Sequence, residues 1–224
     1  LQLWLDTADS STLFDSTTGG STPANNGAVA RWEDKSGNAN HATQGTANER
    51  PLRITNDTNG NDVVLFDGAN DFFSLSSTTG LDLSGDVTTF SVHKRNVTSE
   101  HNPILVADTR TFSAFWTAGG AIIYRTNVSY VSKINTTETG VIILESHNHR
   151  NNPSSPSKLV KNGTIIESGD IGTVAKNYNT IAKRDALFME SEICEIVHYN
   201  RELSPTEILD VRKYLANKWG ITLN

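Results

Sequence analysis

The segment that most constrains the fold is residues 193–224, where an apolar, β-rich run leads directly into an amphipathic helix. Ser204 is a preferred N-cap residue, Pro205 suits the first helical position and Glu207 can complete a capping box. Gly220 ends the predicted helix. Between these ends, apolar residues recur at helical spacing and predict one buried stripe, formed by Ile208, Val211, Leu215 and Trp219.

The rest of the chain has the composition of strands and turns. Hydrophobic residues make up 36% and charged residues 20% of the 224 residues, and Asn, Thr, Ser and Gly are abundant. We predict a single domain over residues 1–224, and we expect it to be one module of a longer protein. An Asn162-Gly163 pair predicts a hairpin. The predicted strands cover 1–6, 29–33, 51–54, 63–66, 71–75, 87–93, 104–107, 111–116, 121–125, 129–134, 140–147, 158–160, 164–167, 180–188 and 192–199.

Charge and hydropathy argue against two classes of partner. The formal net charge is −6 at pH 7 and no more than two Lys or Arg residues are consecutive, so we predict no nucleic-acid binding. No apolar run is long enough to cross a bilayer, so we predict no membrane insertion. The single cysteine, Cys194, lies in an apolar run and is predicted to be a buried structural thiol.

Four motifs, in order along the chain, carry a resemblance to a known family. They are residues 3–9 (LWLDTAD), 32–42 (WEDKSGNANHA), 64–72 (VLFDGANDF) and 195–204 (EIVHYNRELS). With these motifs the chain resembles the laminin-G-like members of the concanavalin A-like lectin and glucanase group. The resemblance implies an all-β fold: a two-sheet antiparallel jelly-roll sandwich with one C-terminal α-helix. It also implies a hairpin at the FDG motif.

The same resemblance implies a role and a place of action. Domains of this group occur as carbohydrate- or protein-binding appendages in secreted glycosidases, adhesins and phage tail or capsid proteins. Family members often bind a calcium ion. We therefore expect an extracellular, cell-surface or virion-associated protein. Because the group includes enzymes, lectins and inert spacers, the fold alone does not determine the function.

Two loops carry the oxygen-bearing side chains that calcium prefers. In the first loop such residues alternate along the chain, and we predict a Ca²⁺ site formed by Asp34, Ser36, Asn38 and Asn40. The alternative is that these Asp and Asn side chains accept hydrogen bonds from the backbone in Asx-turns. A second acidic cluster, with metal binding or a capped hairpin as its two interpretations, is formed by Asp67, Asn70 and Asp71.

A sugar-binding site needs an exposed aromatic platform and a few convergent polar groups. Aromatic residues of the central strands and a polar rim could supply both. The predicted carbohydrate contacts are Trp116, Tyr124, Tyr130, His147, His149 and Arg150. For the aromatic residues the alternative is a place in the core. For the two histidines it is a zinc pair that needs a third ligand.

Three glutamates at residues 190–195 resemble the catalytic strand of the group's glucanases, which carries Glu-x-Asp-x-x-Glu. Residues 190–195 (ESEICE) depart from that pattern because the central acid is Glu192. Strand alternation places Glu190 and Glu192 on one face and Glu195 on the other unless a bulge intervenes. Glu195 is then expected to bond to Arg201 or to nearby backbone. We therefore predict no catalytic residue.

Three functional hypotheses fit these residues. The first is a non-catalytic, lectin-like module that binds a glycan or polysaccharide on a shallow concave face. The second is a structural domain of an adhesin or virion that acts through protein contacts. The third is a polysaccharide-cleaving enzyme of the glucanase type that uses one of the three glutamates.

Overall fold

The computed structural model describes residues 1–95, 102–108, 111–116, 121–125, 130–134, 140–148, 156–169 and 176–224. Within these ranges the chain forms one α-helix, α1 (Pro205–Trp219), and two short 3-10 helices, Ser10–Thr12 and Ala47–Glu49. No helix in these ranges is both long and apolar enough to span a bilayer. The strands are β1 Leu3–Asp6, β2 Leu13–Phe14, β3 Gly27–Ala28, β4 Arg31–Trp32, β5 Ala42–Thr43, β6 Leu52–Thr58, β7 Asn61–Asp67, β8 Phe73–Leu75, β9 Val87–Arg95, β10 Asn102–Pro103, β11 Leu105–Asp108, β12 Thr111–Trp116, β13 Ala121–Arg125, β14 Tyr130–Ile134, β15 Gly140–Asn148, β16 Ser157–Lys161, β17 Thr164–Gly169, β18 Thr180–Ile181, β19 Lys183–Arg184, β20 Leu187–Phe188 and β21 Glu190–Tyr199.

Most of these strands belong to two large antiparallel sheets. Sheet I has the order β17-β16-β15-β9-β21-β7-β6-β3, and β1 also pairs with β21. Sheet II has the order β14-β13-β12-β11-β18-β8-β5-β4-β2, and β10 pairs with β12. The short strands β19 and β20 form a separate hairpin. The predicted all-β sandwich with a C-terminal helix is therefore confirmed for the described residues.

A first hydrophobic core fills the space between the two sheets. Leu3 and Leu5 enter it from β1 as alternate residues of the strand. The Phe66 ring of sheet I meets the Phe73 ring of sheet II edge-to-face, with centroids 5.9 Å apart, and Trp32 lies 6.5 Å from Phe73. Each fully buried apolar side chain of this kind stabilises the fold by about 1.5–3 kcal/mol. The Phe66–Phe73 contact therefore joins the two sheets face to face, while Trp32 packs beside it within sheet II.

A second core lies between α1 and the outer face of sheet I. Leu215, Ala216 and Trp219 are buried there, whereas Ile208 and Val211 of the predicted stripe are half-buried. Strand β21 is consequently covered on both faces, which explains its near-continuous apolar sequence. Because α1 covers sheet I, the outer face of sheet II is the large sheet surface without a helix among the described residues.

One extra residue in β21 changes the face that its side chains use. The strand pairs with β9 as Ile193 with His93 and then Glu195 with Val92, so Cys194 has no partner in the register. After this β-bulge, Cys194 and Glu195 both face α1. The bulge thus brings a carboxylate into the second core.

The ends of α1 agree with the sequence prediction. The Ser204 hydroxyl accepts a hydrogen bond from the Glu207 backbone N–H at 3.3 Å, and the Glu207 carboxylate accepts one from the Ser204 N–H at 2.8 Å. Gly220 adopts a left-handed φ of 69°, and its N–H donates to the Ala216 carbonyl. The capping box and the glycine C-cap are both confirmed.

One hairpin prediction is confirmed and another is wrong. Asn162 and Gly163 have φ values of 47° and 89° and join β16 to β17. The chain after the FDG motif, by contrast, leaves the sheet: β7 pairs with β6 and β21, whereas β8 pairs with β5 and β18. The turn at residues 67–70 crosses from sheet I to sheet II because Phe73 fills the core opposite Phe66.

Candidate functional site

The outer face of sheet II carries a small cavity beside β11, β18 and β19. Leu105 and Ile181 belong to the first core, so their neighbours Val106 and Thr180 face outward. We call this space the β19 cavity; its volume is about 180 Å³. Its walls are formed by Val106, Ala107, Asn179, Thr180, Lys183, Arg184 and Asp185.

Two left-handed residues shape the rim of the β19 cavity. Ala182 has a φ of 67° and turns the chain out of sheet II, while its N–H donates to the Ile104 carbonyl at 3.0 Å. Asp185 has a φ of 55° and begins the turn from β19 to β20, a conformation that Asp adopts more readily than most residues. The short β19–β20 hairpin is thereby held beside the sheet.

Hydrogen bonds from its own side chains fix the floor of the cavity. The Asn179 side-chain amide donates to the Ala107 carbonyl at 3.0 Å, and its backbone N–H donates to the Val106 carbonyl at 2.9 Å. The Thr180 hydroxyl donates to the Lys183 carbonyl at 3.2 Å. These groups are ordered before any ligand arrives, which lowers the entropic cost of binding.

Aromatic and charged groups meet at the edge of the cavity. The Lys183 Nζ lies 3.8 Å from the centroid of the Phe72 ring and 5.3 Å from that of Phe188. The two rings are 6.3 Å apart and inclined by 51°. The Arg184 Nε lies 3.8 Å from the Asp185 carboxylate. The site thus combines apolar rings, cations, an amide and a hydroxyl, which is the chemistry that sugar recognition uses.

The predicted aromatic platform lies on the same sheet. Trp116, Tyr124 and Tyr130 belong to β12, β13 and β14, which follow β11 in the strand order. The register pairs Trp116 with Ile122 and Tyr130 with Arg125, so Trp116 and Tyr124 occupy positions of one strand parity and Tyr130 occupies the other. The structure therefore brings the three positions onto neighbouring strands without placing all three on one face.

Of the predicted polar rim, His147 lies within the described residues, and it belongs to the other sheet. His147 belongs to β15 of sheet I, where it pairs with Thr88 and Lys158. His149 and Arg150 lie outside the described residues. Their part in carbohydrate or zinc binding stays a prediction.

The Asp34 carboxylate is occupied by donors of the chain itself. One oxygen accepts hydrogen bonds from the N–H groups of Trp4 and Ser36 at 2.9 and 2.8 Å. The other accepts from the Asn40 N–H at 3.0 Å and from the Ser36 hydroxyl at 2.7 Å. The Asn38 and Asn40 side chains direct their amide nitrogens at backbone carbonyls. This arrangement is that of an Asx-turn, the alternative interpretation of this loop. Calcium binding by these residues stays a prediction.

The second acidic cluster caps a turn. One Asp67 oxygen accepts hydrogen bonds from the backbone N–H groups of Ala69, Asn70 and Asp71 at 2.9, 3.2 and 3.3 Å. Although burial opposes it, these donors hold the pKa of Asp67 below its usual value. Burial and the neighbouring Asp67 charge raise the pKa of Asp71 to about 6. Within the described ranges no three His, Cys, Asp or Glu side chains are grouped to hold a metal ion.

Glu195 lies in a buried network, not in a cleft. Its carboxylate accepts hydrogen bonds from the indole N–H groups of Trp4 and Trp219, each at 2.7 Å. It also accepts hydrogen bonds from the Tyr214 hydroxyl and the Lys218 ammonium, each at 2.9 Å. Arg201, its expected partner, pairs with Glu207 at 2.6 Å instead. Glu195 therefore forms structural hydrogen bonds as expected, but with side chains of β1 and α1 and not with Arg201 or nearby backbone, because the bulge turns it towards α1.

The other two glutamates lie elsewhere on β21. Glu190 is exposed, whereas Glu192 is nearly buried and lies 3.5 Å from the Lys94 ammonium. Lys94 also contacts Asp57 at 3.0 Å, beside a groove of about 430 Å³ near the end of α1. Both carboxylates there contact the single Lys94 ammonium. The glucanase hypothesis stays a prediction, which reducing-sugar release by the wild type and by Glu192→Gln would test.

Sequence reasoning did not find the cluster around Lys183. It predicted one strand over residues 180–188, whereas the structure divides this segment into β18, β19 and β20. A break was signalled by Asp185, a turn-favouring residue between the basic pair Lys183-Arg184 and the apolar run 186–188. No local signal points to Phe72, which contacts Lys183 only through the tertiary fold.

Comparison with known proteins supports the fold. No protein-family profile matches the chain, and no curated protein sequence matches it. The sialidase of Trypanosoma rangeli is 13% identical, with a TM-score of 0.62 over 99% of this chain and 33% of that chain. The binding domain of Paraclostridial Mosquitocidal Protein 1 is 14% identical, with a TM-score of 0.61 over 85% of this chain and 52% of that chain.

A third similar structure is a single domain. Domain 4 of AbnA, a GH43 extracellular arabinanase from Geobacillus stearothermophilus in complex with arabinotriose, is 15% identical, with a TM-score of 0.57 over 95% of this chain and 98% of that chain. The chain spans about a third of the sialidase and about half of the mosquitocidal binding-domain chain. At these identities the likeness shows a shared β-sandwich fold.

Proposed function

We propose that this chain is a non-catalytic carbohydrate-binding module of the laminin-G-like type, and that it binds a glycan or polysaccharide on the outer face of sheet II. The observation that carries the proposal is the β19 cavity, whose walls offer cations, an amide and a hydroxyl, and whose Lys183 ammonium lies against two phenyl rings. Domain 4 of AbnA, in complex with arabinotriose, supports it as a domain of similar fold and length.

Sheet II is the proposed binding face because the other large surfaces are occupied. The first core fills the space between the sheets, and α1 covers the outer face of sheet I. From the cavity, sheet II continues through β11 to β12, β13 and β14. Because Tyr130 has the opposite strand parity to Trp116 and Tyr124, the outer face offers either Tyr130 or the other two, and these remain the proposed contacts of a glycan longer than the cavity itself.

We further propose that the module acts outside the cell or on a virion surface, as an appendage of a larger protein. AbnA is by name an extracellular arabinanase, and the match to the sialidase covers one part of that chain. The module would hold its parent protein at a polysaccharide while another part acts.

Binding to a glycan array, followed by affinity electrophoresis in soluble polysaccharides, tests the proposal. We expect retention by at least one glycan. Phe188→Ala should weaken it about fivefold, because aromatic contacts are worth about 0.5–1.5 kcal/mol. Leu209→Ala, at an exposed apolar residue of α1, is the matched control and should bind like the wild type. Failure to bind any glycan would overturn the proposal.

A protein-binding role is the second candidate, because an apolar groove of about 210 Å³ lies beside α1. Its walls include Trp4, Val211 and Tyr214, and Tyr214 is 42% exposed. If the groove mediates self-association, light scattering should show a dimer that Val211→Asp dissociates. A wild-type monomer at high concentration would count against that form of the hypothesis.

A further inference from the structure

We propose that the β19 cavity binds an anionic group, the carboxylate or sulfate of an acidic glycan, and that Lys183 is the cation that contacts it. This inference rests on the proposed function and adds a ligand class to it. Its basis is the environment of the Lys183 ammonium, which differs from that of Lys35, Lys94 and Lys218.

Those lysines are each neutralised by two carboxylates. Lys35 lies 2.8 Å from Asp6 and 2.9 Å from Asp9. Lys218 contacts Asp6 and Glu195, and Lys94 contacts two acids in the same way. Lys183 differs, because no carboxylate in the described part of the chain forms an ion pair with it. Its ammonium rests on phenyl rings instead.

The rings make Lys183 a better anion site than an exposed lysine. Phe72 and Phe188 hold the ammonium at the cavity edge and exclude water from part of it, while Lys183 remains only half-buried. A lysine that is already ordered loses less side-chain entropy when an anion binds. A partly desolvated cation also interacts more strongly with an anion than one in bulk water.

The charged residues that line the cavity favour an anion, although the net charge of the whole chain does not. The formal net charge of the chain is −6, which repels anionic glycans at long range. On the cavity rim, Lys183 and Arg184 carry two positive charges and Asp185 carries one negative charge, leaving one net positive charge. Selection therefore has to come from close contact inside the cavity, where Asn179 and Thr180 can contact neighbouring hydroxyls.

The test compares neutral, carboxylated and sulfated glycans on one array, followed by calorimetric titration of the strongest ligand of each class. We expect acidic glycans to dominate and their affinity to fall as salt rises. Lys183→Met keeps the aliphatic stem on the rings but removes the charge, and should weaken acidic ligands at least about tenfold. Lys183→Arg should retain most of the affinity, and Lys213→Met, an exposed lysine of α1, should change nothing.

The outcomes separate the two proposals. Binding of neutral glycans alone, or acidic binding that Lys183→Met leaves unchanged, would overturn this inference while the proposed function stands. Binding of no glycan would overturn both. The relative affinity for carboxylated and sulfated ligands identifies which anion the cavity accepts, and equal loss of both in Lys183→Met supports a shared contact.

Discussion

Glu195 is a single residue that joins three elements. Its carboxylate receives the indole N–H of Trp4 from β1 and that of Trp219 from α1. Lys218 also bonds to it and extends the network to Asp6 of β1. The residue therefore acts as a structural anchor for α1 on sheet I.

We expect Glu195→Gln to destabilise the fold by about 3 kcal/mol, because an amide removes one of the two buried counter-charges of Lys218 and leaves some donors without acceptors. Urea unfolding followed by circular dichroism measures the loss. Glu190→Gln, at an exposed glutamate of the same strand, is the control and should change stability by less than about 0.5 kcal/mol. Similar values for the two variants would contradict the anchoring role.

Asp71 predicts a pH dependence with a defined sign. Its folded-state pKa of about 6 lies above the value of about 3.9 in an unfolded chain, so the folded state holds the proton more tightly. The stabilisation that the protonated Asp71 carboxyl contributes is complete below about pH 4, and it is lost as the pH rises through 6. We expect Asp71→Asn to raise the melting temperature at pH 8 but not at pH 4.

The matched control for that measurement is Asp67→Asn. The pKa of Asp67 lies below its usual value because three backbone donors favour the charged carboxylate. This variant should therefore lose stability at pH 8, the opposite of Asp71→Asn. If both variants raised, or both lowered, the melting temperature at pH 8, the two carboxyl groups would not titrate as the turn geometry requires.

The Asp34 loop makes a prediction about calcium. Because both Asp34 oxygens accept hydrogen bonds from the chain, calcium coordination by Asp34 would have to compete with these donors. We expect the melting temperature to be the same in calcium and in EDTA. A rise of several degrees in calcium would show instead that the loop rearranges into a ligand set.

At the scale of elements, the capping box determines how firmly α1 begins. Ser204 satisfies the Glu207 N–H, and Glu207 returns a bond to Ser204 while it also pairs with Arg201. We expect Ser204→Ala to cost about 1 kcal/mol in urea unfolding and Ser204→Gly only a few tenths. An alanine variant as stable as the wild type would mean that packing of α1 alone sets its start.

At the scale of the whole molecule, Cys194 reports whether α1 and sheet I unfold together. The thiol is fully buried in the second core, and burial raises its pKa. We expect a thiol reagent at pH 8 to label the native protein on the order of 10³-fold or more slowly than the unfolded chain. Labelling should accelerate only across the main urea transition.

Labelling at urea concentrations below that transition would contradict cooperative unfolding, since it would require α1 to leave sheet I alone. Unfolded protein in concentrated guanidinium chloride provides the reference rate. The same experiment on Glu195→Gln separates the contribution of the anchor. Loss of the anchor should lower the free energy of local opening at Cys194, which labelling measures, by more than it lowers the free energy of global unfolding.

Local signals were enough to predict most elements. The strands at 111–116 and 121–125 and the capped start of α1 were all predicted with their observed bounds. Alternation, capping and turn chemistry depend on neighbours a few residues away, so one sequence contains them. The order of four motifs likewise indicated a β-sandwich, which the structure confirms.

Contacts between distant segments were decided by the tertiary structure. Packing of Phe73 against Phe66 turned the expected FDG hairpin into a crossover between sheets. Pairing with β9 placed a bulge that directs Glu195 to α1, and folding of sheet II brought Phe72 beside Lys183. Such contacts depend on which face of each strand reaches the core, and that choice balances burial and register over the whole chain, so no local pattern encodes it.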